Sequence, residues 1–305
     1  GTIAKTISAY DKIVSDDIYG AEKSGRYVCE SRLYKMLDHE YDLILDRLSA
    51  ERPECRLFAF ADTVETINYH KTNKGQGWVG LRFQLHPQGE PNEIVMHIEL
   101  LDNDIALQQQ AVGMLGVNLV YGSYYYYGDY RKLMASLLEG IRNRVKIDML
   151  RIKGPQFVDI DNRLVTLELV KQKMTDVAMF DSKGKPVHPS EFMYKHNALV
   201  VRGSFRPATL RTLDRFESAS KQFATESDLS PKGTSVLAEI TLKDLCRDTG
   251  KVEEQDFLDR ASLLNHLGKC IMITNCNEYK RLINYLSDYR VAKLGIVISA
   301  KGLLD

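Results

Sequence analysis

The sequence predicts an α/β fold, and three observations carry that expectation. Helical three-to-four spacing gives way near residue 57 to short strand-type runs; two of those runs flank a segment rich in turn formers; and from residue 144 onward strands and helices alternate. Together they imply an α+β first part with an antiparallel hairpin in a mixed sheet, followed by the start of a Rossmann-like βαβαβ domain.

Taken in order, residues 5–50 read as helical, because Tyr34, Leu37, Tyr41, Ile44 and Leu48 recur at helical spacing in a charged background. Leu57–Phe60, Val79–Leu85 and Ile94–Leu100 follow as strands. His86–Asn92 supplies the prolines, glycine and asparagine of a reversal, so the second and third strands form a hairpin. Its pairing parity should set Val79, Leu81, Phe83 and Leu85 against Ile94, Met96, Ile98 and Leu100, since a one-residue slip turns every side chain over. The opposite face then gathers Trp78, Arg82, Gln84, His97 and Glu99.

A helix is expected over 104–122, capped by Asp102 or Asn103, with Gly113 and Gly116 allowing close backbone approach, and a second over 129–141. Thereafter the pattern gives strand 144–152, helix 161–175, strand 177–180, strand 198–205 and a polar helix after Arg206. Residues 224–232 are rich in Ser, Pro and Gly and suggest a boundary. Strands 236–242, 270–274 and 294–299 alternate with helices 255–267 and 277–289 beyond it. The expected organisation is a helical packing segment over 1–50, a mixed α/β domain with the candidate site over 51–230, and a Rossmann-like domain opening over 231–305. The last strand is followed by only a few residues, so the pattern predicts that residues 236–305 are the first part of a longer domain.

Forty-one basic and forty-one acidic side chains cancel in 305 residues, so no overall field favours nucleic acid or an anionic membrane. Cys29, Cys55, Cys246, Cys270 and Cys276 are odd in number and form no C-x-x-C pair, which argues against a disulfide framework or zinc ribbon. With no secretory pattern and no apolar run of about 20 residues, a cytoplasmic location is the default expectation, and Gly1 reads as a cleavage scar.

The hairpin's polar face is the sharpest candidate site. His97 is suited to acid–base work with Glu99 beside it; Arg82 and Gln84 suit an anionic or polar ligand, and Trp78 a planar group. The competing reading is that this face lies under water or against a helix, with Arg82 and Glu99 as an ordinary cross-strand ion pair. Lys71, Lys74, Gly75 and Gly77 form a basic, glycine-containing loop suited to an anion, though it matches no phosphate-loop spacing. Arg202 and Arg206 flank Gly203 at a strand end, where α/β proteins place ligands, and suit a phosphate or carboxylate; salt bridges to acids such as Asp214 are the alternative. Asp102 and Asp104 suit either magnesium or a helix start. Cys276 at a helix start is read as structural, and Asp181–Lys185 as a turn. Tyr121, Tyr124, Tyr125, Tyr126, Tyr127 and Tyr130 suit an oligomer interface or a planar ligand, the interface being favoured because no basic cluster lies beside them.

Phe58-Ala59-Phe60-Ala61-Asp62-Thr63, Gly77-Trp78-Val79-Gly80-Leu81-Arg82-Phe83-Gln84, Gly89-Glu90-Pro91-Asn92, Gly116-Val117-Asn118-Leu119, Ile160-Asp161-Asn162-Arg163-Leu164 and Arg202-Gly203-Ser204-Phe205-Arg206-Pro207 carry a likeness. Along its length the chain resembles a bacterial family of cyanobacteria and Bacteroidetes whose members often bear the label nicotinate-nucleotide adenylyltransferase. The resemblance implies that label and no further property. Such enzymes hold ATP phosphates with an H-x-G-H-type turn, and none of His39, His70, His86, His97, His188, His196 and His266 sits in one. Two functional expectations stand beside it: a binder or enzyme for a small anionic metabolite such as a nucleotide or phosphate ester, and a non-catalytic homo-oligomeric assembly protein. No cofactor or metal follows from the residues.

Overall fold

The computed structural model describes residues 12–22, 25–247 and 250–298. Residues 5–11 of the expected first helix, Ser299 of the last expected strand and the expectation about the chain's continuation beyond Asp305 lie outside them. The chain is α/β, as the alternation implies, and it divides into two compact units. The first uses residues up to 128 with 136–145 and 152–158; the second uses 129–135, 146–151 and residues from 159 on.

In the first unit, α1 (Lys12–Tyr19) and α2 (Glu30–Leu48) replace one long helix. Gly20 breaks it: at φ +78° it takes the left-handed conformation that ends a helix at little steric cost, its N–H bonding the Asp16 carbonyl. The buried guanidinium of Arg32 ties the two helices, donating to the Ser15 and Gly20 carbonyls and pairing with Asp16. Strands β1 (Phe58–Glu65), β2 (Gly75–Phe83), β3 (Asn92–Leu100) and β4 (Val145–Lys153) form a sheet in that order, β4 belonging to this unit through Val145, Ile152 and Lys153. The first three pair antiparallel. β4 also runs against β3, because the Leu101 N–H bonds the Arg144 carbonyl at one end while Gly154 lies against Asn92 at the other. Between them α3 (Ile105–Tyr125) buries Gln108, Ala111, Leu115, Leu119 and Gly122 at helical spacing. Asp104, not Asp102 or Asn103, caps it by accepting the Leu107 N–H at 2.9 Å.

The helix expected over 129–141 is shorter, α4 (Tyr130–Leu137), yet Leu133, Leu137, Leu138 and Ile141 are all buried. The second unit continues with α5 (Asn162–Lys171), the hairpin β5 (Val177–Phe180) and β6 (Pro186–Val187), α6 (Pro189–Phe192), β7 (Asn197–Arg202) and α7 (Leu210–Ala224). It ends with β8 (Thr234–Thr241), α8 (Leu242–Leu245), α9 (Glu254–His266), β9 (Cys270–Thr274), α10 (Tyr279–Ser287) and β10 (Lys293–Val297). Its sheet is mixed, in the order β10-β7-β8-β9-β5-β6, with the first four strands parallel. These strands are apolar on both faces because helices cover both: Ala198, Val200, Leu237 and Met272 pack with Leu282 and Leu286 of α10, while Phe180 meets Phe257 of α9 on the other side.

No compact unit ends at residue 230. β7, expected in the middle domain, hydrogen-bonds along its length to β8. The polar loop that suggested a linker is a fastened crossover, since the Asn197 amide donates to the Ser230 and Gly233 carbonyls and accepts the Ser230 N–H. The Rossmann-like run therefore begins one strand earlier than the pattern suggested.

Candidate functional site

The hairpin has the expected parity. Val79 opposes Met96 and Leu81 opposes Ile94, while Trp78 opposes His97 and Gln76 opposes Glu99 on the other face. Trp78, Arg82, His97 and Glu99 thus share a side, but α2 closes it. A Cβ placed on Gly80 would lie 2.8 Å from Leu37 Cδ1 and 3.1 Å from Leu33 Cδ2. Trp78 and His97 are 1% and 2% exposed, their rings edge to face at 5.0 Å. Arg82 pairs with Glu93 directly opposite, Nη2 to Oε2 2.7 Å and Nε to Oε2 3.1 Å, and with Asp38 of α2 at 2.6 Å. Burial alone lowers the guanidinium pKa; the bonds to Glu93 and Asp38 outweigh it, and the net shift is upward. The expected Arg82–Glu99 pair is thereby corrected to Arg82–Glu93, because antiparallel register sets position 93 across from 82. Glu99 stands 3.9 Å from the exposed Lys74. Gln84 is buried and structural: its Oε1 accepts the Leu57 N–H and its Nε2 donates to the Gly89 carbonyl, both at 3.0 Å.

The other expected residues are also engaged. Gly75 and Gly77 lie inside β2, where added Cβ atoms would meet Gln108 and Val64 at 2.5 Å, so they serve strand packing instead of a phosphate loop. Asp102 accepts from Arg144 at 2.8 Å. In the second unit Arg202 is bidentate to Glu239 of β8 at 2.8 Å and donates to the Cys276 and Asn277 carbonyls, while Arg206 pairs with Asp256 at 2.9 Å. Asp214 is the partner of neither in these pairs. Burial pushes the Cys276 thiol pKa up, not down, and α10 starts three residues later. Asp181 opens the expected turn, accepting the Lys183 and Lys185 N–H groups. His188 and Asp148 form a buried pair, Nε2 to Oδ2 3.2 Å, with Ser190 Oγ 2.7 Å from Nδ1; such a pair has the chemistry that ligates a divalent ion or relays a proton.

The open site of the first unit lies on the sheet's other face. β1 ends the strand order, so one of its edges is unpaired among the described residues. The Gln84 N–H bonds the Leu57 carbonyl, which fixes the alternation: 57, 59, 61 and 63 bond inward to β2, and Phe58, Phe60, Asp62 and Val64 turn their N–H and C=O outward. The side chains of Phe58, Phe60 and Asp62 point to the face that α3 covers, and α3 does not fill it. Gly116 meets the Phe60 ring, its added Cβ falling 3.1 Å away, whereas a Cβ on Gly113 would touch nothing within 4 Å. The result is a groove of about 1010 Å³ between the strand edge and the helix, with Arg56 at one end and Asp62 at the other.

Its helical wall is apolar and aromatic. Val117 and Tyr125 are 69% and 70% exposed, and Tyr121 stacks on Tyr125 with centroids 4.5 Å apart. Deeper in, Tyr124 packs against Phe58 and Phe83, and burial pushes its phenol pKa up to about 12. Arg56 lies over the Tyr124 ring at 5.1 Å. Asp62 carries no hydrogen bond among the described residues, and burial raises its carboxyl pKa. The tyrosine run stands out in the sequence; Arg56 and Asp62 do not. The signal for them is an acid in the same alternating phase as Phe58 and Phe60, where a buried face calls for an apolar residue.

Among the described residues no helix is long and apolar enough to cross a membrane. Compared with known protein families, with curated proteins and with solved structures, the chain matches none.

Proposed function

We propose that the first unit is a protein-binding module that takes up an extended polypeptide segment as an added strand on β1. One observation supports this above the others: the residues whose backbone groups face outward from the edge, Phe58, Phe60 and Asp62, are the same residues whose side chains line the groove. An added strand would draw affinity from main-chain bonds to these residues and selectivity from the groove that runs beside them. β1 also carries neither lysine nor proline, the usual protections of an exposed edge. A small anionic metabolite, the reading suggested by the hairpin's polar face, would have to displace α2 to reach Arg82.

The test is selection of random ten-residue peptides on the whole chain, with counter-selection on a Val117→Lys/Tyr125→Lys variant. Both positions are largely exposed, so the variant keeps its fold while crowding the groove. Strand addition predicts enriched peptides with apolar residues at alternate positions that bind the parent at least about tenfold more tightly than the variant. Peptides that bind both equally, or no enrichment at all, would remove the reading.

A further inference from the structure

Resting on that reading, we infer that the segment β1 accepts is the β1 of a second copy, paired antiparallel across a two-fold axis at Ala59. Symmetric antiparallel pairing makes the two opposed residue numbers sum to a constant, and outward-facing residues must oppose outward-facing ones. Only a few registers satisfy both conditions. A sum of 124 sets Asp62 against its own copy, and 116 sets it against Glu54, so both oppose like charges. Sums of 120 and 122 leave it facing Phe58 and Phe60. A sum of 118 opposes Asp62 to Arg56 of the second copy, twice by symmetry, and Phe58 to Phe60 twice.

The 118 register answers several features at once. It gives the unpartnered Asp62 carboxyl a cation, and it does so on the groove face, where Arg56 already lies. An inward-pointing charge ordinarily guards an edge against pairing, because its burial is costly unless an opposite charge meets it. Here Arg56, two residues before the strand begins, supplies that opposite charge, so the edge is guarded against other strands and open to its own copy. The dyad falls on Ala59, a small residue on the α2 side, where close approach of two backbones is easiest. The two α3 helices would then flank the joint on one side, bringing together the exposed Val117, Tyr121 and Tyr125 of each copy.

The experiment is sedimentation equilibrium of the whole chain and of two single variants, Arg56→Glu and Asp62→Lys. The parent is expected to dimerise. Each variant alone opposes like charges and should dimerise at least about tenfold more weakly. Mixed in equal amounts, the two variants restore opposite charges at both contacts: the introduced glutamate of one copy meets the introduced lysine of the other, and the remaining Asp62 meets the remaining Arg56. The heterodimer should therefore recover to within about threefold of the parent. Single variants that dimerise like the parent, or a mixture that does not recover, would overturn the register. If Asp62→Lys fails to fold, amide exchange of the unmodified chain decides: protection of Phe58, Phe60 and Asp62 that rises with protein concentration supports self-pairing, and concentration-independent exchange overturns it. A parent that stays monomeric while the selected peptides bind would defeat self-pairing and leave strand addition intact; a monomer that binds no peptide would defeat both.

Discussion

The two faces of the β1–β3 sheet differ in what they leave unsatisfied. The side that carries Trp78, Arg82 and His97 is the polar one, yet it is closed: α2 lies on it, and Arg82 is held by Glu93 and Asp38. The side that carries Phe58, Phe60 and Val79 is the apolar one, yet it opens into a groove with a carboxyl and a strand edge that are unpaired among the described residues. Polar side chains in a strand pair therefore mark internal pairing here, and the place that can bind something is marked by groups without partners. Each face responds to substitution accordingly.

The largest expected effect is on the closed face. Arg82→Ala leaves the buried Glu93 carboxylate with Lys153 at 2.8 Å as its one remaining salt-bridge partner among the described residues and removes the contact with Tyr41. Breaking a mostly buried pair in this way should cost about 2–4 kcal/mol, read from the midpoint of urea unfolding. The loss should be partly recovered by Arg82→Lys, which restores the charge but not the two-nitrogen grip on Glu93. A cost below about 0.5 kcal/mol, the value typical of a surface position, would mean that α2 does not close this face.

Much of this architecture is legible in the sequence, for reasons that also explain what is not. Strand parity is a local property: alternation alone puts Val79 and Met96 on one face and Trp78 and His97 on the other. Unit boundaries are not local. The Ser/Pro/Gly stretch before β8 looks like a linker until Asn197, more than thirty residues away, fastens it. Likewise the pairing of Arg82 with Glu93 instead of Glu99 depends on a register that composition does not carry. What hid the groove was a different gap. Alternation shows that Phe58, Phe60 and Asp62 share a face, but only the strand order shows that β1 is an edge, and only the approach of α3 at Gly116 and its distance at Gly113 show that the face stays open.

Those last two glycines, with Gly80, sharpen the contrast between the faces. Gly80→Ala drives a Cβ against Leu37 and Leu33 and should destabilise by about 1–3 kcal/mol as α2 is forced outward. Gly113→Ala puts a methyl into open space on a helix, where alanine is favoured over glycine by about 0.8–1 kcal/mol, so it should stabilise by about that much. Paired thermal-unfolding measurements check both signs. A destabilising Gly113→Ala would mean that the groove is not open at Gly113, and a stabilising Gly80→Ala that α2 does not press on Gly80.

The smallest effect, and the most specific to the groove, belongs to Asp62→Asn. Burial raises the Asp62 carboxyl pKa in the folded chain above its unfolded value, so the folded state holds that proton more tightly. The sign follows from the proton count. At a pH below the unfolded value both states are protonated and the group is neutral in its effect; between the two values the unfolded state has released its proton first; above the folded value the chain bears the full cost of an unpaired, partly buried carboxylate. Stability therefore falls as pH rises from the unfolded value through the raised one, with a limiting slope of about 1.4 kcal/mol per pH unit. Asparagine removes the charge and keeps the shape, so Asp62→Asn should unfold at a higher temperature than the parent at pH 7 and at the same temperature near pH 3. The comparison is made at protein concentrations low enough to keep the chain monomeric, since a cation brought by a second strand would lower the same pKa and erase the difference. A difference that is equal at both pH values would show that Asp62 has its own partner in the monomer, and the groove would lose the charge that gives it a preferred occupant.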